Sequence, residues 1–327
     1  MKMEHEYDIA IIGGGPVGMF ATFYAGLRSA DVLLLESTPQ LGGQPAALYP
    51  QKQIYDVAGF FAVRADELTS KLDQQMARFK PDVQLNTKVT AITPDATGVT
   101  LTTDAQNYRA KSVIVATGAG AFEPRPLAAP HDKTLVNDKI FYIAPDLNTF
   151  ARQDVVIAGG GDSAIDWALA LEPIAKSVRL IHRRNQFRGL ESSVTALENS
   201  TVELLTPYLI KEVSETATGL SLSLRPVRDA EPQTITADKL LVSYGFASDN
   251  RQLRNWGLQL EHGQIKVDAS YATNLDHVYA IGDAVTYPGK QKLIASGFGE
   301  APTAVSSIMS AIHPELRQNL HSSELKL

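Results

Sequence analysis

The sequence predicts an α/β protein built from two Rossmann-like, three-layer dinucleotide-binding domains, one inserted into a discontinuous other. Three observations carry that expectation. A glycine-rich turn, Gly13-Gly14-Gly15-Pro16-Val17-Gly18, follows directly on the apolar run Tyr7 to Ile12. A second, Gly159-Gly160-Gly161-Asp162-Ser163-Ala164, follows Asp154 to Ala158. A third apolar run, Val278 to Ile281, ends at Gly282-Asp283 and has no glycine turn of its own to serve.

Within each turn the three small residues have separate tasks. Gly13 and Gly159 allow a tight bend, and Gly15 and Gly161 let backbone N–H groups approach a pyrophosphate. Gly18 and Ala164 let the following helix pack close to its strand. In the second copy Asp162 and Ser163 open that helix, whose unpaired N–H groups and positive dipole end suit phosphate. The first copy continues to Val32-Leu33-Leu34-Leu35-Glu36, an acid 18 residues beyond Gly18. A carboxylate there accepts hydrogen bonds from ribose hydroxyls. The second continues to Val178-Arg179-Leu180-Ile181-His182-Arg183-Arg184, with two arginines where that acid would stand. The planar guanidinium fork pairs with phosphate oxygens, so this copy suits a 2′-phosphate. The pair reads as one FAD site and one NADPH site.

Short β segments follow each unit. In the first copy they are Val83 to Leu85, Lys88 to Ile92 and Val99 to Thr103, leading to Ser112 through Gly118. In the second they are Val202 to Leu205, Ile210 to Val213 and Leu220 to Leu224, leading to Lys239 through Gly245. Alternation of apolar and polar residues supports strands in several of them. The repeat is one doubly wound unit used twice. Returning the Val278 run to the first domain gives an FAD domain of residues 1–118 and 246–327, with an NADPH domain of 119–245 between. Proline-bearing Phe122-Glu123-Pro124-Arg125-Pro126 suits a crossing, because proline stiffens a connection and rejects helix.

At 327 residues, 44% hydrophobic and 20% charged, the chain is expected to be soluble and two-domain. A net charge of −6 speaks against nucleic acid as a partner. No run reaches the ~20 apolar residues of a membrane span, and the first residues lack a secretory apolar region, so a cytoplasmic location is expected. Neither the histidines nor Trp256 show ligand spacing, so no metal is expected. Cysteine is absent altogether. The chain therefore holds no thiolate nucleophile and no redox-active dithiol, and electrons must leave from the cofactor itself.

The paired turns, the Val113-Ile114-Val115-Ala116-Thr117-Gly118 strand and Ala280-Ile281-Gly282-Asp283 resemble the low-molecular-weight thioredoxin reductase branch of the flavoprotein disulfide reductases. Those enzymes carry a C-x-x-C pair before the second turn, whereas Thr134 to Ile140 here has no thiol. The chain instead resembles the thioredoxin-reductase-like ferredoxin (flavodoxin)–NADP⁺ reductases. The matches are Gly42-Gly43-Gln44, Leu48-Tyr49-Pro50, Ile54 to Phe60, Gly161 to Leu169 and Gly297 to Pro302. By that resemblance Glu36 binds the FAD ribose, Gln44 approaches the flavin, and Tyr49 lies on one isoalloxazine face. Val89 meets the adenine end, Phe122 is a further FAD contact, and Asp283 bonds the ribityl–phosphate region. His321 covers the opposite flavin face, and Ser323 stands where the family commonly has threonine. His182, Arg183 and Arg184 match the NADPH-selecting strand end.

The implied activity is electron transfer from NADPH through FAD to a one-electron carrier, ferredoxin or flavodoxin, by a homodimer. No side chain is required as a catalytic acid or base, because the flavin performs the chemistry. Quinone or disulfide reduction, and a non-enzymatic flavin or NADPH sensor, remain alternatives. Lys52, Arg125, Lys290 and Lys292 are candidates, by charge alone, for docking an acidic carrier.

Overall fold

In the computed structural model, which describes residues 5–120, 123–144, 146–227, 231–247 and 251–315, the chain divides into two compact units. One joins Met1–Ala121 to Ser248–Leu327, and the other is Phe122–Ala247. The crossings thus fall at 121/122 and 247/248, against 118/119 and 245/246 on the sequence reading.

The first unit starts with β1 (Glu6–Ile12), α1 (Pro16–Leu27), β2 (Val32–Leu35), α2 (Gly43–Leu48) and α3 (Ala65–Ala77). It continues through β3 (Asp82–Gln84), β4 (Val89–Asp95), β5 (Gly98–Thr103) and β6 (Asn107–Val115). The parallel part of the sheet runs β3-β2-β1-β6, and β6 continues it into the antiparallel pair β5 and β4. Strand β2 and the C-terminal halves of β1 and β6 are almost continuously apolar because both faces are covered there. Alternate residues divide between two cores. Ile9, Ile11 and Leu34 face a layer containing Met19, Leu68 and Leu72 from α1 and α3. Ala10, Ile12, Leu33 and Leu35 face Val89, Ile92, Val99 and Leu101 of the β4–β5 hairpin. That alternation is what makes three layers.

The second unit repeats the plan with β7 (Ile140–Phe141), β8 (Asp154–Ala158), α4 (Asp162–Leu171), β9 (Ser177–Ile181), α5 (Glu191–Glu198) and β10 (Glu203–Leu205). Then come β11 (Tyr208–Glu215), β12 (Leu220–Pro226), β13 (Gln233–Ala237) and β14 (Lys239–Val242). Its parallel sheet runs β7-β14-β8-β9-β10, and β11-β12-β13 form an antiparallel sheet of their own. The split between faces recurs. Val155, Ile157 and Leu180 face α4, while Val156, Ala158 and Ile181 face Val213, Leu222 and Leu224.

The chain then returns to the first unit. Strand β15 (Val278–Ala280) pairs in parallel with Val113 to Val115 of β6, and the earlier half of β6 carries the β5 hairpin. Helix α6 (Ile294–Ile312) packs Ala301, Ala304, Val305 and Ile308 on the face shared with α1. Among the described residues, no helix is long and apolar enough to cross a membrane. No group of His, Cys, Asp or Glu among them could hold a metal ion.

Candidate dinucleotide sites

Both turns have the same steric logic. A Cβ added at Gly13 would lie 2.5 Å from the Ala116 carbonyl oxygen, and one at Gly159 2.5 Å from that of Ser243. A Cβ at Gly18 would sit 1.9 Å from the Gly13 oxygen, which is why the helix can approach its own strand only there. Ala164, fully buried, takes the corresponding place in the second turn, 2.7 Å from a Cβ added at Gly159. Gly15 and Gly161 are different. Added atoms there would meet nothing nearer than 3.9 Å and 3.7 Å, and both residues have ordinary negative φ angles. Each is the N-cap of its helix, and neither helix start carries a side-chain cap. No side chain therefore takes the first-turn N–H groups, which in α1 begin at Val17 because Pro16 has none. Asp162 does not occupy that position, since its carboxylate accepts from the Leu190 N–H at 3.2 Å. Ser163 is exposed on the first turn of α4.

The residues after β2 and β9 differ sharply. Glu36, only 6% exposed, accepts from the Gly14 N–H at 2.7 Å through Oε2. Its Oε1 accepts from the Thr38 N–H at 2.8 Å and from the hydroxyls of Thr38 and Ser37 at 2.9 and 3.3 Å. Its counterpart beneath the second turn is His182, whose ring lies 2.2 Å from where a Cβ at Gly160 would stand. The arginines therefore do not replace the acid, as the sequence reading had them. His182 does, and Arg183 and Arg184 follow it, both exposed. His182 Nε2 is buried without a hydrogen-bond partner among the described residues. Burial, then Arg183, Arg188 and Arg184, push its pKa below the usual histidine value.

Arg188 was not singled out from the sequence. Its N–H donates to the Gly160 carbonyl at 2.7 Å, and it forms an isolated parallel bridge with Gly161. The loop after β9 thus folds back on the glycine turn and brings a third exposed guanidinium to it. The spacing His182-Arg183-Arg184-x-x-x-Arg188 was the available signal.

In the first unit, the Gly42 N–H donates to the Gly14 carbonyl at 2.8 Å, and Gly43, at φ +56°, packs on Gly15. This seats Gln44, in the first turn of α2, beside the first glycine turn. Tyr49 ends the same helix, half-buried, with Lys52 Nζ 5.3 Å from its ring centroid. Burial, then the carboxylates of Asp283 and Asp56, push the Tyr49 phenol up to about 12. Tyr49 and Asp283 are therefore brought together. Asp283 is held up from the carboxylate range by burial, against the opposing pull of Lys290 and Lys292, and no donor among the described residues bonds its carboxylate. Val89 is buried at the start of β4, its carbonyl accepting from the Gln252 side chain. Two residues earlier, the Thr87 N–H donates to the Glu36 carbonyl at 2.9 Å. Phe122, His321 and Ser323 lie outside the described residues. Lys290 is not a surface charge: its side chain is 5% exposed and paired with Glu300.

Residues 7–307 match the family described as pyridine nucleotide-disulphide oxidoreductase. The chain belongs to that family. A curated ferredoxin–NADP reductase 2 of Latilactobacillus sakei is 53% identical over 98% of both chains. The ferredoxin–NADP reductase of Geobacillus thermodenitrificans is 48% identical, again over 98% of each. Among solved structures, the thioredoxin reductase of Lactococcus lactis superposes with a TM-score of 0.81 at 25% identity, covering 95% of this chain and all of that one. As a member of this pyridine nucleotide-disulphide oxidoreductase family, the protein is an FAD-dependent oxidoreductase that uses NADPH.

Proposed function

We propose that this protein passes electrons from NADPH, through FAD, to ferredoxin or flavodoxin. The observation that carries the reading is the contrast between the two turns, a carboxylate at one and clustered guanidinium groups at the other, in a chain without cysteine. The names of its curated relatives support the choice of carrier.

FAD belongs to the first unit. Its pyrophosphate takes the open space over Gly15 and the uncapped start of α1, with Gly13 and Gly18 shaping the turn. The ribose hydroxyls take over on Glu36 the bonds now made by Ser37 and Thr38. The ribityl chain supplies the missing donor to Asp283, Val89 borders the adenine, and Tyr49 and Gln44 flank the flavin. Phe122, His321 and Ser323 are further FAD contacts. NADPH belongs to the second unit, over Gly159, Gly161, Ser163 and Ala164 beside Asp162. Arg183, Arg184 and Arg188 take the 2′-phosphate, and His182 offers its unpartnered nitrogen to the ribose. Bound FAD supplies the redox chemistry, and the side chains bind and orient it.

The working form is a cytoplasmic homodimer, and light scattering showing only monomer at micromolar concentration rejects the dimer. The central test is anaerobic electron transfer from NADPH to purified ferredoxin and flavodoxin of the same cell. Turnover that survives thiol alkylation supports the reading. Fast flavin reduction by NADPH with no transfer to either carrier overturns it in favour of a quinone or disulfide acceptor.

A further inference from the structure

Glu300 is the one charged residue on the buried face of α6, among Gly297, Ala301, Ala304, Val305, Ile308 and Met309. At 1% exposure a carboxylate is costly unless it is paired and hydrogen-bonded, and an apolar residue in its place is often as stable. Its partners explain the cost. Oε2 accepts from the Gly282 N–H at 2.6 Å. Oε1 accepts from the Tyr287 hydroxyl at 2.7 Å and from Lys290 Nζ. All three donors lie in the segment just after β15, around Asp283. Gly282 has φ +76°, a left-handed bend at the residue preceding Asp283. On the other flank, Gln264 Nε2 donates to the Asp283 and Val285 carbonyls at 3.1 and 3.0 Å. The backbone of the turn is gripped from both sides, and the Asp283 carboxylate is left without a donor among the described residues.

We propose that Glu300 is a positioning residue of the flavin site: it fixes the turn that presents Asp283, and Lys290 neutralises and anchors it there. The proposal rests on Asp283 contacting FAD. It makes Glu300 act through a backbone N–H, so an acceptor oxygen at position 300 matters more than its charge.

The test uses full-length apoprotein and reads FAD affinity by quenching of flavin fluorescence. Two double variants both remove the buried ion pair. Glu300→Gln/Lys290→Met keeps an oxygen for the Gly282 N–H, and Glu300→Leu/Lys290→Met does not. The first is expected to bind FAD within about threefold of wild type, and the second about tenfold more weakly, the scale of one hydrogen bond. In an Asp283→Ala background that difference is expected to vanish, because residues acting through one contact are not additive. Equal FAD affinity of the two double variants overturns the proposal, as does a difference that persists without Asp283. If Asp283→Ala alone leaves FAD affinity unchanged, the assignment of Asp283 to the flavin fails instead, and the proposal with it.

Discussion

The two glycine turns share a backbone and differ in what stands beneath them. Under Gly14 an acidic side chain is saturated by local donors, and under Gly160 stands an imidazole whose pKa burial and three nearby arginines push down. The steric parts, Gly13, Gly18, Gly159 and Ala164, are set by contacts within the protein. A Cβ added at Gly15 or Gly161 would meet nothing nearer than 3.7 Å, so contacts within the protein do not demand glycine there. One scaffold thus separates folding residues from reading residues: the steric positions stay small in both copies, and the polar residues beneath the turn, Glu36 against His182, are where the copies diverge most.

The comparison breaks most visibly at Gly18. Its replacement by alanine drives a methyl into the Gly13 carbonyl and is expected to cost about 3 kcal/mol, with loss of bound FAD. Thermal melts and the flavin-to-protein ratio measure both. Gly161→Ala is expected to change stability by less than about 1 kcal/mol, because φ is ordinary and space is free. Its effect falls on NADPH, whose Michaelis constant should rise about tenfold, the equivalent of roughly 1.4 kcal/mol. A joint Arg183→Ala/Arg184→Ala change is expected to raise the same constant about tenfold to a hundredfold, from charge-assisted bonds worth roughly 1.5–3 kcal/mol. NADH kinetics and FAD content stay as they are, and an unchanged NADPH-to-NADH ratio refutes the role of these arginines. The smallest effect concerns His182. Its folded-state pKa is depressed, so the unfolded chain takes the proton first. The stability linked to this group is complete above about pH 6.5 and declines as pH falls toward the folded-state value. In urea melts, the difference in stability between wild type and His182→Asn should change with pH only in that acidic window.

What could be read from the chain was what short-range sterics dictate. An apolar strand running into Gly-x-Gly-x-x-Gly or Gly-x-Gly-x-x-Ala specifies its turn within about a dozen residues. The return of β15 to the first sheet followed from counting turns against strands. Three features escaped because tertiary contacts make them. The placement of His182 under Gly160 is a register question of one residue. Strand β13, Gln-Thr-Ile-Thr-Ala, carries too little apolar signal to stand alone and is defined by its pairing with β12. Lys290 looked like a solvated charge because its partner, Glu300, lies ten residues on, across a loop that leads into α6.

The sharing of β6 has a consequence for how the protein is made. Its second half finds β15 only after the whole of Phe122–Ala247 has been synthesised. The inner unit is one uninterrupted stretch, whereas the outer one must hold an unpaired strand flank open while the ribosome finishes. At roughly 5–20 residues per second that wait lasts on the order of ten seconds or more. During it the flank of Val113, Ile114 and Val115 is an open strand edge, and the first unit closes only when β15 and then α6 have been made.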